Sequence, residues 1–173
     1  MTFRNMKGFD GPYETPLISP AKKVLKSWID YNGHMNVAYY TMAIDKSLDF
    51  FLEEILGIGE THAKKNNQGP FVVQANFTYL NEMKYNEKFC VKCSLVDFDQ
   101  KKMHLFLEMV SLRNSKIMAF SEQLLLNVNL NKRKSEKYPE WVINRLRQLK
   151  KDHSEIEFPE NIASLIKIEN PII

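Results

Sequence analysis

The stretch from Val37 to Leu56 contains neither glycine nor proline and stops at Gly57. Tyr40, Ile44, Ser47, Leu48, Phe51 and Ile55 recur at helical spacing, while Tyr39, Met42, Ala43, Phe50 and Leu52 widen the apolar surface well beyond one stripe. A helix of this kind, about 30 Å long at 1.5 Å per residue, has to be covered on nearly every side. Its polar residues are therefore informative. Asp45, Asp49 and Glu53 stand four residues apart and form one acidic line, a repulsive arrangement unless it faces water, Lys46 or a site.

The second half of the chain supplies the cover. Phe71, Val73, Ala75, Phe77 and Tyr79 alternate with polar or small neighbours, and Met103, Leu105, Leu107 and Met109 alternate with His104, Phe106, Glu108 and Val110, so both runs read as half-buried strands. Phe89 to Phe98 and Ile117 to Leu130 give two more, and the short polar links near Lys84 to Glu87, Asp99 to Lys102 and Arg113 to Lys116 make the neighbours antiparallel. Ala21 to Trp28 is read as a first strand, Lys64 to Gly69 as a polar loop, and Pro139 to Lys151 as a final helix packing on the outside. The expectation is one α+β domain over residues 1–173, an antiparallel sheet wrapped around one long central helix. Residues 1–20 form an arm with Pro12, Pro16 and Pro20, and residues 131–173 form the extra helix and a tail whose apolar run, Ile162 to Ile168, covers a partner or the sheet edge.

Composition excludes more than it assigns. With 24 basic and 21 acidic side chains the net charge is +3, too small to name a nucleic-acid or membrane partner. No apolar run reaches the ~20 residues of a membrane span, and no signal-peptide core follows Met1, so a soluble cytoplasmic protein is expected. Cys90 and Cys93 have C-x-x-C spacing, but on a strand they point to opposite faces, and no second pair completes a metal site. There is no G-x-S-x-G, H-E-x-x-H, P-loop or G-x-G-x-x-G.

The chemistry concentrates in Trp28-Ile29-Asp30-Tyr31-Asn32-Gly33-His34-Met35-Asn36, just ahead of the central helix. Asp30 precedes a tight turn at Gly33 and the helix start near Asn36, so its carboxylate lies beside backbone N–H groups carrying partial positive charge. Such a helix end is able to polarise a carbonyl and hold a developing oxyanion, with Asp30 in a position to attack it or to activate water. Spacing alone also fits Asp30 as a helix cap, and favours it, with His34 as a loop-holding residue and Asn36 as an N-cap.

The string D-x-x-G-H-x-N, together with the element order, resembles the 4-hydroxybenzoyl-CoA thioesterase-like hotdog family. WIDYNGHMN, DQKKMHLF at Asp99 to Phe106 and AFSEQLLLNV at Ala119 to Val128 are similar to its betainyl-CoA thioesterase subgroup, including the thioesterase part of carnitine dehydrogenase fusions. That subgroup's pattern has Glu where Gln74 stands and His where Asn127 stands. The resemblance implies a hotdog fold, a homodimer or dimer-based oligomer with sites between subunits, and hydrolysis of a small polar acyl-CoA by Asp30, His34 and Asn36. It implies no cofactor, coenzyme A being part of the substrate. A non-catalytic acyl-CoA sensor or scaffold and an acyl-carrier-protein thioesterase are the alternatives.

Trp28, Tyr31, Phe77 and Tyr79 are candidates for an aromatic box around a quaternary ammonium, or else core. Gly33 shapes the loop, and Asp45 is either a second site carboxylate or a partner for a loop donor. Lys132, Arg133 and Lys134 are candidates for the coenzyme A phosphates, or solvated surface. Glu82 reads as a solvated turn residue.

Overall fold

The computed structural model describes residues 7–160, 162 and 166–172, so part of the expected arm and of the run Ile162 to Ile168 lies outside the described residues. The elements are β1 (Leu17–Ile18), β2 (Lys22–Lys23), α1 (Val37–Phe50), α2 (Glu60–Asn66), β3 (Gln68–Tyr79), β4 (Lys88–Phe98), β5 (Lys102–Ser111), β6 (Ile117–Asn129), β7 (Lys134–Ser135) and α3 (Glu140–Asp152). The strand order is β1-β4-β5-β6-β3, with β2 also on β4 and β7 on β6, and every pairing is antiparallel. Tyr40, Ala43, Ile44, Ser47 and Leu48 bury one face of α1, and the apolar core joins them to Val91, Leu95, Leu105, Leu107 and Met109 of the sheet. This is the expected wrap of a sheet around one helix.

Several expectations are corrected. The run Ala21 to Trp28 holds only the two-residue β2 and a tight turn at Lys26–Trp28, because its lysines break the alternation that a longer strand needs. The central helix is α-helical only to Phe50 and widens into a π turn over Phe51–Ile55, where the Leu56 N–H reaches back to Phe51 O. It also keeps one face open in the single chain: Val37, Met42, Asp45, Lys46 and Asp49 are exposed. Most of the polar loop Lys64 to Gly69 belongs to α2 and the start of β3, and Glu53 holds the first turn of α2 by accepting from the Thr61 N–H at 3.0 Å and from its hydroxyl. Helix α3 does not pack on the outside, for Val142, Ile143, Leu146 and Leu149 belong to the main core.

The outer face of the sheet is covered too. His104 and Glu122 are buried there with His104 Nε2 and Glu122 Oε1 2.8 Å apart. Phe106 meets Phe120 at 5.4 Å and Phe158, from the segment after α3, at 6.0 Å. On the helix side, Gly8 and Gly57 cross with φ of +86° and +70°, so closely that a Cβ on Gly8 would run into the Gly57 nitrogen and one on Gly57 into the Lys7 carbonyl. The buried Arg145 closes this crossing by donating to Leu56 O at 2.8 Å and to Asp10 at 2.7 Å.

His153 ties α3, β4 and the N-terminal arm together. The Leu95 N–H donates to its Nδ1 at 3.0 Å and its Nε2–H donates to Glu14 O at 2.9 Å, an arrangement only the neutral ring can make. Burial holds its pKa below the ordinary 6.5. Because the unfolded chain then binds the proton more readily, this contribution is complete above about pH 6.5 and is lost as pH falls toward the folded-state value. The melting temperature is expected to fall on acidification below about pH 6.5, and His153→Gln should be destabilised at neutral pH with a shallower acid slope, as read by scanning calorimetry.

Candidate active site

The loop from Ile29 to Met35 is a closed turn. Ile29 and Met35 bridge, the Asp30 N–H donates to His34 O at 3.0 Å, and the Gly33 N–H donates to Asp30 O at 3.0 Å. Gly33 has φ of +77°, the backbone conformation that glycine adopts without strain. The Asn32 N–H donates to Asp30 Oδ1 at 2.8 Å. The other carboxylate oxygen, Oδ2, is 3.5 Å from Asn36 Nδ2 and 3.9 Å from His34 Nδ1. Asp30, His34 and Asn36 thus come together as one group, with the Asp30 side chain only 14% exposed. His34 Nδ1 lies 3.1 Å from Met35 O, so the ring also holds the loop.

Asn36 is the N-cap of α1: its Oδ1 accepts from the Ala38 N–H at 3.0 Å, and its carbonyl accepts from Tyr39 N–H. That leaves the N–H of Val37 as an unmatched donor at the positive end of the helix. Beside it opens a cavity of about 330 Å³ lined by His34, Met35, Val37, Tyr40, Tyr79, Leu80, Asn81 and Glu82. Asp30 does not line this cavity; its Oδ2 is 3.9 Å from Nδ1 of His34, which does.

Tyr40 builds the far side. Its buried hydroxyl donates to Asn81 O at 3.1 Å and accepts from the Met83 N–H at 2.9 Å, while the Met35 N–H donates to Met83 O at 2.8 Å. The segment after β3 is thereby fastened to both the loop and α1. Burial raises the Tyr40 pKa, so the hydroxyl stays protonated. Tyr79 meets Tyr40 edge-on at 5.5 Å and stacks with Phe77 at 6.4 Å. Glu82, held below the usual carboxylate range by Lys84, forms the rim. The sequence reads Glu82 as a solvated turn residue and gives Tyr40 no separate role; the signal available was Tyr40 one helical turn beyond the cap at Asn36.

The remaining candidates lie apart. Trp28 stacks on Tyr39 at 5.4 Å, and Tyr31 is 96% exposed at the loop tip. Asp45 is on the open face of α1 and does not line the cavity; burial, and then the like charge of Asp49, raise its pKa. Lys132 faces Glu136 at 3.6 Å, the Arg133 guanidinium lies 5.6 Å from the Phe71 ring centre, and Lys134 pairs with Asn129 in the sheet, all near the start of β3. Gln74 sits beside a bulge in β3 opposite Leu124. Asn127 is a buried fastener, donating to Gln68 and lying within hydrogen-bond reach of the Glu136 and Lys137 carbonyls.

A larger cavity, about 800 Å³, lies at the other end of α1 among Lys46, Asp49, Phe50, Glu53, Lys64, Pro70 and Phe71. It contains none of the loop residues, and its carboxylates Asp49, Glu53 and Glu60 are already paired with Lys46, Lys7 and Lys64. Among the described residues no cluster of His, Cys, Asp and Glu is placed to hold a metal, and no helix is long and apolar enough to cross a membrane.

A fold that wraps a sheet around α1 and a loop that sets a carboxylate at its N-terminus define a thioesterase-type protein. Residues 24–146 match the family model of the thioesterase-like superfamily, and the chain belongs to that family. This makes it a thioester hydrolase by class. It is 27% identical over 154 residues to the betainyl-CoA thioesterase of Pseudomonas aeruginosa, covering 89% of this chain and 92% of that one. It is 24% identical over 144 residues to the L-carnitine dehydrogenase/betainyl-CoA thioesterase of a Rhizobium species, covering 83% of this chain and 29% of that one. A Staphylococcus aureus protein solved in complex with CoA superposes with a TM-score of 0.78 at 23% identity, covering 93% of this chain and all of that one, which shows the shared fold.

Tyr40→Phe removes an acceptor from the buried Met83 N–H and a donor from Asn81 O. Urea denaturation is expected to show a loss of about 1–3 kcal/mol.

Proposed function

We propose that this protein hydrolyses acyl-CoA thioesters with a small acyl group, betainyl-CoA first among them. The observation that carries the reading is the Asp30 carboxylate held by the Asn32 N–H and by Asn36, the residue that caps α1. With the thioester carbonyl oxygen on the Val37 N–H, negative charge developing on the oxygen is met by the helix end. Asp30 Oδ2 then either adds to the carbonyl carbon, expelling the coenzyme A thiolate and leaving an anhydride for water to open, or takes a proton from the water that adds. His34 and Asn36 orient the carboxylate. The betainyl preference draws on the name of the Pseudomonas aeruginosa relative.

The working unit of this reading is a homodimer paired through β3. That strand has one unpaired edge, and Phe71, Val72, Val73, Tyr79 and Leu80 are exposed along it. Antiparallel pairing of two β3 strands sets the start of one beside the end of the other. It thereby brings Phe71 and the Lys132–Arg133–Lys134 group of one copy toward Tyr79 and the loop of its partner, where they serve the phosphates of coenzyme A. Two free, buried cysteines fit a reducing compartment, the cytoplasm.

Asp30→Asn keeps the shape of the side chain and removes its charge. Thiol release from betainyl-CoA, followed with a thiol-reactive dye, is expected to fall by about 100-fold or more while the circular dichroism spectrum is unchanged. Unaltered turnover would refute the mechanism; CoA-thioester binding without turnover in the parent protein would favour the sensor, and turnover of acyl-carrier-protein thioesters alone would favour the other alternative. Val72→Lys, which puts a charge on the open strand, is expected to shift the mass measured by light scattering from dimer to monomer and to remove activity with it.

A further inference from the structure

Among the described residues Glu82 is the one acidic side chain on the wall of the cavity at the head of α1. Beside His34 and Asn81 the rest of that wall is aromatic and aliphatic: Tyr40 and Tyr79 meet edge-to-face, with Met35, Val37 and Leu80 around them. A quaternary ammonium has no N–H to donate, so it gains nothing from hydrogen-bond acceptors as such. It is held by ring faces and by negative charge within reach, and this wall offers both.

Glu82 is also placed rather than loose. The Tyr40 hydroxyl grips the residues on either side of it, Asn81 through its carbonyl and Met83 through its N–H. Lys84 donates to the Glu82 carboxylate at 2.7 Å, but both side chains are more than half exposed, so the pair is readily exchanged for another cation. The Lys84 ammonium has a second acceptor at Gly33 O, 3.5 Å away. Val37, whose N–H is the unmatched donor, shares the wall, and in a betainyl thioester only one methylene separates the carbonyl carbon from the ammonium nitrogen. A carbonyl at Val37 therefore leaves the cation inside the same cavity.

Resting on the thioesterase reading above, we propose that Glu82 is the specificity-determining residue of this site: its carboxylate selects acyl groups bearing a quaternary ammonium, against a wall formed by Tyr40 and Tyr79. Asp45, the carboxylate that the sequence offers on α1, lies outside this cavity and has no part in the selection.

The test compares two thioesters of the same shape. In 3,3-dimethylbutyryl-CoA a tert-butyl group replaces the trimethylammonium of betainyl-CoA, so the ratio of their kcat/KM values reads charge alone. The parent protein is expected to favour betainyl-CoA. Glu82→Gln, at an exposed position where folding is not at stake, should lower the ratio about tenfold. Lys84→Met should raise it, and added salt should narrow it in the parent more than in Glu82→Gln. A ratio that is the same in Glu82→Gln as in the parent overturns the proposal, as does a parent that cleaves both thioesters equally well, and in either case the thioesterase reading stands. If neither thioester, nor any of a panel of other acyl-CoAs, releases thiol above the buffer rate, the underlying reading falls and takes the proposal with it.

Discussion

The packing of Tyr40, Ala43, Ile44, Ser47 and Leu48 of α1 against the inner face of the sheet sets the position of everything else. At about 25 cal/mol per Å² of apolar surface removed from water, burying this face stabilises the fold. It also fixes the direction of the helix axis. The head of α1 emerges beside the end of β3, and the turn from Ile29 to Met35 has to close just there. Site and core are one piece of construction, since Tyr40 belongs to both: its ring is buried in the core and its hydroxyl holds the wall of the cavity.

Much of this was legible in the sequence. Period 3.6 over Val37 to Phe50 and period 2 in the later runs follow from side-chain geometry, and the short polar links dictated antiparallel neighbours. The turn at Gly33 and the cap at Asn36 were likewise local, and both are present. What periodicity could not supply was the identity of the covering layer. His104, Phe106 and Glu108 alternate with apolar residues as if facing water, yet His104 and Phe106 are buried, His104 against Glu122 and Phe106 under Phe158, which returns from far along the chain. In β3 the reverse holds: its apolar residues are exposed because the strand lies at the sheet's edge. Edge and centre are decided by strand order, which no single strand encodes.

The same limit applied to the site. Asp30, His34 and Asn36 are close in sequence and were found together; Glu82 reaches the cavity only through the path of the chain after β3, so its residue type suggested nothing more than a turn. Trp28 and Tyr31 adjoin the loop in sequence but not the cavity in space, one stacked on Tyr39 and the other pointing to water. Asn127 illustrates the opposite case. Standing where the resembled subgroup has histidine, it spends its amide on Gln68 and lies against the backbone that leads to α3. Here that position serves architecture.

The crossing of Gly8 and Gly57 under Arg145 ties distant parts of the chain at one point. Arg145 of α3 reaches Leu56 across 89 residues and Asp10 across 135. Because neither glycine carries a side chain, the two backbones meet directly, and a residue with a Cβ at either position would part the N-terminal arm, the end of the central helix and α3 together.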